Sequence, residues 1–231
     1  MRKNLIGKIL QETEAGYDRM AEKFSGTRNF FWPDLAFIKN HISEGAKVLD
    51  FGCGNGRLLE ILKDKRLEYY GVDSSQGLID LAKSRYPEPG LHFLKTSGQA
   101  SLPFPDDFFN TAVSIAVFHH LPDKKFRLDT ARELYRVLKP DGKIIVTAWN
   151  LWQPKYRKYI WKNMARKILL GSRLDFFDCE IPFKNNAGEK FKRFHHAYTL
   201  EGLSGLFLQA GFRIEEAKVV NNKNLVVIAR K

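Results

Sequence analysis

The sequence predicts a doubly wound α/β protein: a seven-stranded, mostly parallel sheet with helices on both faces and an antiparallel hairpin at its C-terminal end. Three observations carry this reading. From residue 47 onward, short apolar runs alternate with helix-period stretches, the pattern of parallel strands joined by crossover helices. The first run, Val48-Leu49-Asp50-Phe51, passes directly into Gly52-Cys53-Gly54-Asn55-Gly56. In that turn the missing Cβ atoms let the backbone bend tightly and approach a ligand. The last two runs are joined only by Asn221-Asn222-Lys223-Asn224, too short for a crossover.

Taken in order, residues 5–24 read as one or two amphipathic helices ending in Tyr17-Asp18-Arg19-Met20-Ala21-Glu22-Lys23-Phe24, and helical periodicity returns at 34–42. Strands are expected at Lys47–Phe51, Glu68–Asp73, Leu91–Lys95, Thr111–Ile115, Lys143–Ala148, Phe212–Ala217 and Leu225–Ala229. Helices between them start near Gly56, Ser75, Lys125 and Leu200, with Ser74-Ser75 placed to cap the second. Pro140-Asp141-Gly142 stops one helix and starts the fifth strand. An irregular segment, about 149–197, interrupts the alternation. It reads as an insertion over the carboxyl ends of the strands, a substrate-binding cap on one domain spanning 1–231.

The chain has 231 residues and a formal net charge of +12, an excess that favours a polyanionic partner, nucleic acid or an anionic membrane surface. No apolar run approaches a membrane span, and Met1-Arg2-Lys3-Asn4-Leu5 lacks the apolar core of a signal peptide. Two cysteines, Cys53 and Cys179, offer neither a disulfide framework nor a metal cluster. A cytoplasmic protein without a metal is the expectation.

The glycine turn is followed by an acidic residue, Asp73, 73 − 54 = 19 positions after Gly54. A carboxylate at that spacing accepts both hydrogen bonds of a ribose diol, so the pair points to a nucleoside cofactor. A dinucleotide fingerprint needs its third glycine at position 57, which is Arg57. Asp50 would also sit poorly beside a pyrophosphate, whereas a zwitterionic amino-acid tail suits it.

The stretch Asp50-Phe51-Gly52-Cys53-Gly54-Asn55-Gly56 with Asp73 resembles motifs I and II of the class I S-adenosylmethionine-dependent methyltransferases. The resemblance implies a Rossmann-like sheet and a cofactor set of Tyr17, Asp50, Gly52, Gly54, Gly56, Asp73, Ser74, Gln99, Ala100 and Ile115. Gln99 stands where the family has an acidic residue for the adenine amino group; its amide oxygen accepts the same bond, and the Ala100 N–H reaches a ring nitrogen. Asn110 departs from the family aspartate before the fourth strand. Tyr17 resembles the aromatic residue of an N-terminal helix that covers the cofactor. His119 and His120 follow the fourth strand, where a general base would stand; His120 is the catalytic candidate.

Three further segments are similar to the tRNA wobble-uridine carboxymethyl methyltransferases: Tyr17 to Arg28 with Trp32-Pro33, Ser114-Ile115-Ala116-Val117-Phe118-His119-His120, and Arg193-Phe194-His195-His196. Ala148-Trp149-Asn150 resembles that family's aromatic end of strand five. The likeness implies methylation of a carboxylate on a tRNA wobble uridine, with Arg28, Arg193 and His196 holding the carboxylate and nearby phosphates. It also implies a small zinc-containing activator subunit. Residues 151–196 carry seven Lys and four Arg against two Asp and two Glu. Within them Trp152, Tyr156, Ile160, Met164 and Ile168 form a helical apolar stripe, with Lys155, Lys158, Lys162 and Arg166 on another face. This suits RNA backbone and unstacked bases, or an anionic membrane surface, or a plain solvated face. A small-molecule, quinone or lipid methyltransferase and a non-catalytic cofactor-binding regulator stand as alternatives.

Overall fold

The computed structural model describes residues 3–26, 30–96, 101–184 and 190–231. Two N-terminal helices, α1 (Lys3–Asp18) and α2 (Ala21–Gly26), and a 3-10 segment (Pro33–His41) precede the sheet. The strands of the sheet are β1 (Lys47–Phe51), β2 (Glu68–Asp73), β3 (Leu91–Lys95), β4 (Phe109–Ile115) and β5 (Leu138–Trp149). It is completed, after an inserted hairpin of β6 (Asp178–Lys184) and β7 (Lys190–His196), by β8 (Arg213–Val220) and β9 (Asn224–Arg230). The spatial order is β3-β2-β1-β4-β5-β9-β8. Neighbours from β3 to β5 are parallel, and β9 runs against both β5 and β8. The order reverses between β1 and β4, which opens a crevice at their carboxyl ends, the ligand position of open α/β sheets.

Successive strand residues feed opposite layers. Leu49, Ala112, Ile144 and Val227 join one core with helices α4 (Lys124–Val137) and α6 (Leu200–Gln209). Val48, Val113, Ile145 and Val226 join the other with α3 (Gln76–Arg85) and the 3-10 segment. Ser75 caps α3 by accepting from Leu78 N–H, and Thr199 caps α6 through Gly202 N–H. The connection after Gly56 is a 3-10 turn, Arg57–Ile61, in place of the expected helix. Asn110 lies inside β4, where its side-chain Oδ1 accepts Lys47 N–H at 3.0 Å, a bond an aspartate could equally accept.

The insertion is more ordered than its sequence indicates. It holds helix α5 (Pro154–Leu170) and the β6–β7 hairpin. A small third core of Leu151, Ile160, Cys179, Ile181 and Ala197 joins them, with Trp152, Tyr156 and Met164 packed on its edge. Ile168, expected in the same stripe, is 70% exposed. A four-residue repeat turns about 40° per step on a 3.6-residue helix, so the stripe rotates off the core as the helix runs past the hairpin.

Candidate functional site

The crevice is a single elongated pocket with two chemically distinct ends. At one end stand the strand-β1 turn and the tip of β2. Gly52 has φ +79°, and a Cβ there would lie 2.2 Å from Val117 Cγ2, so no other residue fits unchanged. Asp73 Oδ2 accepts the Gly54 N–H and its Oδ1 the Ser75 N–H, each at 2.9 Å. A carboxylate has about four lone-pair sites, so this one braces the glycine loop and keeps acceptor capacity toward the pocket. Burial raises its pKa, with those N–H groups opposing. Asp50 is buried and accepts the Tyr69 hydroxyl at 2.6 Å. Burial, aided by the nearby Asp73, pushes its pKa up to about 7. It is a carboxylate poised to welcome a cation.

The other end is cationic. Arg193 on β7 is only 5% exposed, its Nε has no hydrogen-bond partner, and no carboxylate pairs with it among the described residues. Its guanidinium lies 4.5 Å from the Phe183 ring and 5.8 Å from Trp149. A hydrogen-bond relay runs from it. Arg193 Nη1 donates to the Tyr17 hydroxyl at 3.3 Å, and that hydroxyl meets His120 Nε2 at 2.9 Å. His120 Nδ1 faces the Phe194 carbonyl at 3.0 Å. A carbonyl only accepts, so Nδ1 carries the proton and Nε2 accepts from Tyr17. Burial, with Arg193 adding to it, lowers His120 to about 3. This imidazole is neutral at physiological pH.

His119, His120 and His195 bring ring nitrogens within 4.8 Å of one another. Their hydrogen bonds do not leave three lone pairs for a metal. His119 Nδ1 accepts Trp149 N–H at 3.3 Å, which leaves the proton on its Nε2. His120 Nε2 is taken by Tyr17, and Arg193 adds positive potential to all three rings.

Of the residues expected from the sequence, the pocket gathers Tyr17, Asp50, Gly52, Gly54, Asp73, Ser74, Ile115, His120 and Arg193. Two stand apart from it. Gly56 packs beneath Tyr86 and Phe93, where a Cβ would approach Tyr86 to 3.0 Å; it serves the loop's seating. His196 Nδ1 binds Asp178 at 2.7 Å and anchors the hairpin, and His196 is absent from the pocket lining. Arg28, Gln99 and Ala100 lie outside the described residues. The sequence reading missed Arg57 stacked on Trp32 at 3.6 Å within the pocket; its signal was the charged residue standing where a dinucleotide fold needs glycine. It also missed Asp18, whose Oδ1 accepts the Ser75 hydroxyl at 2.6 Å and the Gly77 N–H at 3.1 Å.

A seven-stranded sheet of this order, with a glycine turn and a strand-tip carboxylate at its switch point, defines a nucleoside-cofactor-binding α/β protein of the class I methyltransferase type. Residues 49–146 match the family model described as "Methyltransferase domain". A putative methyltransferase of Encephalitozoon cuniculi is 31% identical over 199 residues, covering 86% of this chain and 85% of that protein. The chain belongs to the S-adenosylmethionine-dependent methyltransferases. It is also similar to the tRNA (carboxymethyluridine(34)-5-O)-methyltransferase of Arabidopsis thaliana, 32% identical over 154 residues. That match covers 62% of this chain but only 36% of the plant protein's length. Among solved structures, an S-adenosylmethionine-dependent methyltransferase of Methanosarcina mazei superposes with a TM-score of 0.70 at 26% identity, covering 87% of this chain and 98% of that one.

The residues present fit the family's cofactor. Asp73 keeps acceptor capacity for a ribose, Asp50 offers charge to an ammonium group, and the Gly52 cradle would be filled by any Cβ. The acidic end of the pocket fits that cofactor, and the cationic end carries Arg193, Tyr17 and His120.

Proposed function

We propose that this protein methylates an oxygen that is already anionic, the carboxylate of a carboxymethyl group on the wobble uridine of a tRNA, in the cytoplasm. The observation that carries the reading is Arg193, a buried guanidinium in the acceptor end of the pocket without a carboxylate partner among the described residues. Burying an unpaired cation is costly. Three aromatic faces and the Tyr17 oxygen offset part of that cost, and an incoming carboxylate offsets more.

His120 sharpens the choice of acceptor. When bound, S-adenosylmethionine supplies a sulfonium-activated methyl group for in-line displacement. A phenol or amide acceptor must also lose a proton. With an imidazole whose pKa is about 3, taking a proton from a phenol is uphill by about 10 kcal/mol. A carboxylate needs no such step. The residues then position: Arg193 holds the carboxylate, Tyr17 fixes Arg193 and His120, and Trp149 walls the pocket. His120 thus acts as a neutral acceptor that orients Tyr17, in place of the base expected of it. Lys155 and Lys158, exposed on the helix that carries Tyr156, whose ring stacks on Trp149, support contact with RNA phosphates. A small zinc-containing activator subunit belongs to the same reading; co-expression with such a subunit raises activity if it is required.

The test is incubation with methyl-labelled cofactor and tRNA carrying carboxymethyluridine, followed by nucleoside analysis. A methyl ester releases its label as methanol in mild alkali, whereas an N- or C-methyl product does not. Alkali-stable label, or transfer to a quinol or lipid with none to tRNA, overturns the reading.

A further inference from the structure

Helix α5 ends in an apolar platform that the methyl-transfer site does not use. Ile168, Leu169 and Leu170 are 70%, 77% and 78% exposed; Phe176, reached by Lys167, and Trp161, two turns back on the helix, are exposed as well. The platform is built, not frayed. Gly171 closes the helix in the left-handed region, and the following loop folds back on it. Asn163, itself buried, donates to the Asp175 carbonyl at 2.8 Å; Lys167 donates to the Leu174 carbonyl at 2.7 Å and lies 5.5 Å from the Phe176 ring. The helix carries Lys155, Arg157, Lys158, Lys162, Arg166 and Lys167 and no acidic residue.

We infer that this platform docks on an anionic lipid surface, the apolar tip entering the headgroup region while Lys162 and Arg166 near it meet lipid phosphates and carboxylates. The charge pattern selects that occupant. A second copy of this chain would bring two acid-free basic helices together, which repel. RNA would meet the cations but leave the three aliphatic side chains wet, because bases stack on aromatic rings. A bilayer interface takes both: aliphatic and aromatic groups at the acyl boundary, and basic residues reaching to anionic headgroups. The inference is independent of the methyl acceptor.

The experiment is vesicle flotation of the full chain, with phosphatidylcholine alone and with about 30% phosphatidylserine. The expected result is flotation only with phosphatidylserine, weakening with salt. Leu169→Ser with Leu170→Ser, at exposed positions that leave the core intact, should lower binding about fivefold or more at unchanged charge. Lipids with brominated chains should quench tryptophan emission in the unsubstituted protein and less in Trp161→Phe. Absence of flotation overturns the inference, as does a double variant that binds like the unsubstituted protein. So does light scattering that shows a dimer which the double substitution splits, or loss of tRNA binding in the double variant.

Discussion

The two ends of the pocket are built in opposite ways. The cofactor end comes from one stretch, Asp50 to Ser75, in which a turn, two carboxylates and a helix cap lie close in sequence. Its charge is negative. The acceptor end is assembled from the last turn of α1, the 3-10 turn after β4 and the inserted hairpin, joined by bonds that span 103 and 176 residues. Its charge is positive. The difference teaches that the shared chemistry of a family resides in a local motif, which holds its shape by backbone geometry. In the proposed function the choice of acceptor falls to a non-local relay that exists only once the insertion has folded over the sheet.

Arg193→Gln tests the contrast most severely. It removes the cation but keeps a polar side chain, and should lower kcat/KM for a carboxylate acceptor about a thousandfold while changing cofactor affinity less than about twofold. Equal loss of both would merge the two ends into one unit. Asp73→Asn acts on the other end, turning an amide NH2 toward one of the Gly54 and Ser75 N–H groups. Calorimetry should show cofactor affinity reduced about a hundredfold.

The next effect is smaller and depends on pH. With Asp50 at about 7 in the free protein, a cationic cofactor group binds its ionised form, so affinity should rise about tenfold from pH ~6 to pH ~8. Asp50→Asn should flatten that rise. In the free protein the same group acts on stability with the opposite sense. Its folded pKa of about 7 exceeds the ordinary 3.8, so the native state binds the extra proton between those values and stability falls as pH rises through that window. Smallest is Tyr17→Phe, which leaves the aromatic wall but cuts the relay. It should lower kcat/KM about fivefold, with most of the change in KM for the acceptor.

The same contrast explains what the sequence made legible. All seven strands of the main sheet announce themselves, the five parallel ones as short apolar runs and the last two by the short polar turn that joins them. The hairpin at 178–196 does not: Asp178-Cys179-Glu180-Ile181 alternates over four residues only, and the proline that follows argues against a strand. It forms because a two-stranded ribbon needs partners on one side only and gains its core from α5. Tyr17 was legible as a site residue but its partners were not, since nothing in a linear pattern reports a bond across 176 residues. His196 misled for a related reason: it neighbours His195 and Arg193 in sequence, yet in a strand successive side chains face opposite ways, and its side chain meets Asp178.

Tyr17 and Asp18 are consecutive residues at the end of α1, one bonded to the acceptor relay and the other to the cap of the helix after Asp73. That pair sets a rule for length variation along the chain. Inserting one residue between them would swing one side chain about 100° around the helix axis and release one end of the pocket. Lengthening α1 at its start displaces neither. Insertions should therefore be tolerated at the start of α1 and refused at this single peptide bond.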